Sequence, residues 1–151
     1  MKSGLVFVVL ILSATGLAQE GQSAEVCEKS LHGFWREKDA RQAIALFKEL
    51  KTAVQKDDRK AVSNMVFYPL KVSGEYRIHN RTASLLNYDK IFDAGVRDSI
   101  FRQVPECIPG NWQGFRTELG EVWIESSSNG PTKMIVVNSE SWPKPHSRSD
   151  H

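Results

Sequence analysis

Beyond its first eighteen residues the sequence has no apolar run that could cross a bilayer, which takes roughly 20 consecutive apolar residues. It has no G-x-S-x-G elbow and no glycine-rich phosphate loop, so the serine-elbow hydrolases and the common nucleotide motifs are excluded. No H-x-H, H-E-x-x-H or clustered acid–histidine spacing occurs, and no metal site or cofactor is expected. An excess of charge of one sign is also missing. Twenty Lys and Arg stand against eighteen Asp and Glu, a formal balance of +2. With no basic stripe to track phosphates, nucleic acid is set aside as a partner. Internal repeats are absent. Cysteine is scarce: only Cys27 and Cys107 occur. Without a histidine pair nearby they make a poor zinc site, and they suit a bridge better than a nucleophile.

The start of the chain carries the clearest positive signal. Lys2 supplies a charged leader, "LVFVVLIL" an apolar core, and Gly16 and Ala18 the small residues of a cleavage site. Residues 1–18 are therefore expected to be a signal peptide, with a cut after Ala24 as the less favoured alternative. The reading that competes is an uncleaved anchor. Removing residues 1–18 removes Lys2 and no acid, so 19 basic groups face 18 acidic ones. The remaining chain, roughly 130 residues, suits a single domain with a real core. Export places the protein in the periplasm or outside the cell, an oxidising setting in which Cys27 and Cys107 are expected to pair. Two buried free thiols are the alternative.

Residues 19–26 are polar and small, a leader segment. From about Val26 to Gln55 the spacing is helical, with Ala43, Phe47, Leu50 and Val54 on one stripe and Ile44, Leu46 and Ala53 widening it. "QKDDRK" breaks that helix, and Asp57 or Asp58 caps a short second one over Arg59 to Asn64. "VFYPLKV" then reads as a strand. Pro69 cannot donate to a ladder, so the strand belongs at an edge or carries a bulge there. Thr82 or Ser84 caps the next helix, whose stripe is Leu85, Tyr88, Phe92, Val96 and Ile100, with Gly95 as a break. "FRTELGEVWIESS" and "TKMIVVN" read as antiparallel strands joined through the turn signal "NGP". Residues 27–138 thus form one α+β domain, N-terminal helices on a curved antiparallel sheet, and residues 139–151 a flexible tail.

Three segments carry a family resemblance: "LFKELKTAVQKDDRKAVSNMVFYPLKV", "LLNYDKIFD" and "GEVWIESSSNGPTKMIVVN". Over about Arg41 to Asn138 the chain resembles the cone-shaped α+β superfamily typified by nuclear transport factor two, with its SnoaL-like and ketosteroid-isomerase-like members. The resemblance implies a cystatin-like cone between helices and sheet. In catalytic members it implies an acidic general base with hydrogen-bond donors, or an Asp–His pair.

Two kinds of site follow. If the chain is an enzyme of the isomerase or dehydratase type, Asp89 or Glu121 is the carboxylate base and Tyr88 or His79 the donor. The bland readings are a helix-surface acid for Asp89 and a loop histidine for His79. If it is a non-catalytic binding domain, a sheet face bearing Trp123, helped by Tyr68 and Tyr76, takes a small apolar ligand or a protein partner. Glu121, Trp123 and Glu125 share one face of a regular strand, and Val122 and Ile124 share the other. That face is either a pocket or the wet side of a half-buried sheet. The binding domain is the leading expectation, and a homodimer that shields the sheet is compatible with either.

Overall fold

The structure is a computed structural model, and it describes Cys27 and residues 36–74, 76–126 and 130–143. The expected signal peptide and leader lie outside the described residues.

Helix α1 (Glu37–Gln55) buries Ala40, Ala43, Ile44, Phe47, Leu50, Ala53 and Val54 along one side, as the three-and-four spacing requires. Phe47 is completely buried. Full burial of such a side chain contributes about 1.5–3 kcal/mol. The helix ends where Asp57 takes a left-handed backbone (φ 50). Asp58 then accepts a 2.9 Å hydrogen bond from the Ala61 N–H and starts α2 (Arg59–Asn64). The second helix leads directly into β1 (Val66–Val72), which turns back into β2 (Tyr76–Ile78).

Three short helices follow: α3 (Arg81–Leu86), α4 (Tyr88–Ile91) and α5 (Ala94–Arg102). Asn80, not Thr82 or Ser84, caps α3 by accepting from the Ala83 N–H. Asp93 does the same for α5, so the chain breaks before Gly95 rather than at it. The apolar stripe survives these breaks: Tyr88, Phe92, Val96 and Ile100 are all buried. A single 3₁₀ turn (Pro105–Cys107) leads into β3 (Gly110–Asn111), β4 (Gly114–Arg116), β5 (Val122–Glu125) and β6 (Lys133–Val137). Cys107 in that turn is bonded to Cys27.

The six strands form one sheet in the order β2-β1-β6-β5-β4-β3. The expectation of a sheet antiparallel throughout is corrected here. Strands β3 to β6 form an antiparallel meander, but β6 runs parallel to β1. Parallel neighbours need a long crossover, and the chain from β2 through α3–α5 and the meander supplies it. Strand β1 is therefore interior, with β2 outside it. Pro69 is accommodated by the second of its two expected routes. The β1–β6 register shifts between Val66 and Lys71, and the Tyr68–Pro69 peptide is cis. One face of the sheet (Val66, Leu70, Val72, Ile78, Phe115, Val122, Ile124, Met134, Val137) joins the helices in a single core.

The start of the expected tail belongs to the fold. Ser139 is buried, its hydroxyl donates to Asp93, and Trp142 meets the Tyr76 ring edge-on at 5.8 Å. The buried Asp93 carboxylate that caps α5 needs donors, and this segment provides two of them.

Candidate functional site

The residues expected to do acid–base chemistry do not converge. Asp89 lies on the surface, its side chain 65% exposed. Arg59 grips it with two bonds of 2.9 and 3.0 Å, and Arg97 adds a third of 2.9 Å. Hydrogen bonding to Arg59, supported by Arg97, holds the Asp89 carboxyl below the usual carboxylate range. A group held ionised in this way, in water, has little appetite for a substrate proton.

Tyr88 is turned inward. Its ring stacks on Phe92 at 4.9 Å, and the guanidinium groups of Arg59 and Arg97 sit 4.8 and 5.5 Å from its centroid. Burial pushes its phenol up, and its hydroxyl is buried with no hydrogen-bond partner among the described residues. Tyr88 and Asp89 are thus tied through two shared arginines, not as a base and its donor. His79 is exposed in the turn after β2. Glu121 stands apart from that cluster, accepting from Ser99 Oγ at 2.7 Å and Thr117 Oγ1 at 2.9 Å. Those bonds fasten the β4–β5 turn to α5.

The three aromatic residues expected on one sheet face are also separated. Tyr68 swings toward the helices, where its hydroxyl donates to the Ser63 carbonyl at 3.1 Å, and burial raises its pKa. Tyr76 lies opposite Val72, whose side chain faces the core. Only Trp123 stays on the outer face, with Val122 and Ile124 inward as expected. The reason is alternation: Tyr68 shares a strand face with the buried Val66, Leu70 and Val72, and Tyr76 shares it across the pairing with Val72.

The outer face carries part of the uncommitted surface, alongside Leu86, Trp112 and Leu119, which are exposed off the strands. Strand pairing places Arg116, Trp123, Val136, Lys71 and Arg77 side by side across β4, β5, β6, β1 and β2. The Arg116 guanidinium lies 5.7 Å from the Trp123 ring centroid. Its Nη1 donates to the Glu118 carbonyl at 2.8 Å, which fixes it there, and Trp123 Nε1 donates to the Gly120 carbonyl at 3.1 Å. Phe67, 58% exposed, stands near Ile135, Lys133 and Glu125 around an open hollow of about 250 Å³. Sequence reasoning missed Phe67, Lys71, Arg77, Arg116 and Val136. Alternation within "VFYPLKV" marks Phe67 as a face residue, but the cross-strand row needs the register.

Among the described residues, no group of three or more His, Cys, Asp or Glu is placed to hold a metal ion, and no helix is long and apolar enough to cross a membrane. Comparison with protein-family models, curated proteins and solved structures finds no match.

One buried acid has a measurable structural consequence. Burial opposes charge on Asp93, but bonds from the Val96 and Ser141 N–H groups and from Ser139 Oγ outweigh it and lower its pKa. A depressed folded pKa gives stability that is fully present above the unfolded pKa and lost as pH falls through the folded one. Asp93→Asn is expected to cost about 1 kcal/mol at pH 7 and to make the loss of stability below pH 4 shallower than in the wild type. Urea midpoints at pH 7 and pH 3 check this. Equal acid losses in the two proteins would remove Asp93 from the account.

Proposed function

We propose that this is an exported, non-catalytic domain of the cone-shaped α+β class whose working surface is the outer face of the sheet, where it binds a protein partner. The carrying observation is the contrast between the two faces. The inner one is closed by large side chains, Phe47, Leu50, Leu70, Tyr88, Phe92, Phe115 and Met134 among them. The outer one leaves Phe67 exposed and Trp123, Ile135 and Val136 half-covered. A contiguous aromatic and aliphatic patch between polar residues is a common form of interaction surface.

The class is supported by the order of elements. A long helix, a tight Asp57–Asp58 break and a second helix feed the first strand, and later helices precede the final hairpin, as the resemblance implies. Export is supported by the N-terminal pattern and by the Cys27–Cys107 bond. The isomerase or dehydratase reading has less support, because Asp89 is solvent-exposed between two arginines and Glu121 is tied to Ser99 and Thr117. A filled inner face also weighs against a small apolar ligand and for a partner outside.

Site-specific photocrosslinking in the native host tests this. Phe67→p-benzoylphenylalanine is expected to give a discrete heterologous protein adduct that Trp123→Asp abolishes. The same group at Lys56, exposed on the helical side, is expected to give none. Equal adducts from both positions, or an adduct with the mass of two copies of this chain, would overturn the reading.

A further inference from the structure

The cross-strand row has a spacing that selects the chemistry of its partner. Cations occupy its ends, Arg116 on β4 and Lys71 with Arg77 on β1 and β2, and the apolar pair Trp123 and Val136 fills the middle. Among the described residues, the Lys71 and Arg77 side chains make no hydrogen bond or ion pair, whereas seven ion pairs engage cations elsewhere. Two free positive charges on a half-apolar face call for an acidic complement.

Neighbouring strands lie about 4.8 Å apart, so Arg116 and Lys71, three strands apart, are separated by about 14 Å, and Arg77 by about 19 Å. An extended chain advances about 3.3 Å per residue, which makes these spans about four and six residues. Both numbers are even. In an extended segment, residues i, i+2, i+4 and i+6 all face the same side.

We propose that the outer face binds an extended acidic segment of a partner protein laid across the strands. The segment reads acid at i, apolar at i+2, and acid at i+4 and i+6. The first carboxylate meets Arg116, the apolar side chain rests on Trp123 and Val136, and the last two carboxylates meet Lys71 and Arg77. This rests on the outer face being the working surface. Nucleic acid and anionic lipid fit the row less well. The cations are interrupted by an apolar pair, and the adjacent row carries Glu125 opposite Lys133, an acid that phosphates would meet.

The test uses the whole mature chain and a capped peptide, Glu-Ser-Leu-Ser-Glu-Ser-Glu, titrated by NMR at low and high salt. The control, Glu-Glu-Leu-Ser-Ser-Glu-Ser, has the same composition with the spacing broken. The expected result is that shifts concentrate on the Trp123 indole and the amides of Lys71, Arg77, Arg116 and Val136. The control is expected to bind at least ten-fold more weakly. Lys71→Glu/Arg77→Glu, both at solvent-accessible positions, is expected to weaken the peptide at least ten-fold and flatten its salt dependence while leaving the circular dichroism spectrum unchanged. Equal affinity for both peptides, or an unaffected double variant, would overturn the proposal. So would tighter binding through the same residues to oligo-dT or to phosphatidylglycerol vesicles. If the Phe67 photoadduct persists while the peptide fails, the acidic-segment reading is wrong and the binding surface stands. If the photoadduct is also absent, the surface itself is wrong.

Discussion

Removing the disulfide with Cys27→Ser/Cys107→Ser is expected to cost about 4 kcal/mol. The two cysteines are 80 positions apart in sequence. Closing so long a loop denies the unfolded chain a large share of its freedom, and freeing it restores that entropy to the unfolded side. The bond also ties Cys27 to the 3₁₀ turn that packs against α1. There Lys48 pairs with Glu106, and Lys51 Nζ donates to the Gln103 carbonyl at 3.1 Å. Against a total stability of about 5–15 kcal/mol for a domain of this kind, such a loss removes about a quarter of it or more. Guanidinium unfolding of the wild type, the double variant and the reduced wild type checks it. The last two should agree. A difference from the oxidised wild type below about 1 kcal/mol would show that the bridge does not restrain the unfolded chain as the loop-closure argument requires.

Gly114→Ala is expected to be the most damaging single-methyl addition among the described glycines, costing about 3 kcal/mol. Gly114 has φ +137, a conformation that L side chains rarely adopt. A Cβ there would stand 2.4 Å from the Ile124 carbonyl oxygen and 3.4 Å from its carbon. These are backbone atoms of the neighbouring strand, so no rotamer change relieves the contact. The strands must part where Phe115 lies opposite Ile124, two of the completely buried side chains of the core. Gly74 provides the comparison. It also has a positive φ, +95, but no heavy atom lies within 4 Å of its would-be Cβ. Gly74→Ala is therefore expected to cost only about 1 kcal/mol, from backbone strain alone. Thermal and denaturant midpoints of the two variants decide the matter. Equal losses would mean that backbone conformation, not the close approach of β4 to β5, sets the cost.

Local features were legible residue by residue. The stripe through Ala43, Phe47, Leu50 and Val54 placed the buried face of α1, and the doubled aspartate placed its end and the start of α2. Pro69 announced an irregularity in β1. The cap of α3 was misplaced because Asn80, Thr82 and Ser84 are all competent acceptors, and only the path of the chain out of β2 selects among them. Asp89 looked like a base beside a tyrosine because sequence adjacency says nothing of Arg59, thirty positions earlier, which reaches it across the surface. Tyr68 and Tyr76 were grouped with Trp123 on chemical kind. Alternation with Val66, Leu70 and Val72, and the pairing of Tyr76 with Val72, turn the first two toward the helices and the core.

The amino-acid sequence by itself determined the α+β character, the helix–break–helix–strand entry, the cysteine pair and the inward set Val122 and Ile124. Each depends on periodicity or on residue chemistry within a few positions. The tertiary structure alone decided that β6 lies parallel to β1, that Asp93 holds Ser139 and Ser141, and that Arg116, Trp123, Val136, Lys71 and Arg77 share one row. Those outcomes depend on which distant segments pair and in what register. Many pairings bury similar apolar area, and only the packing of the whole chain separates them.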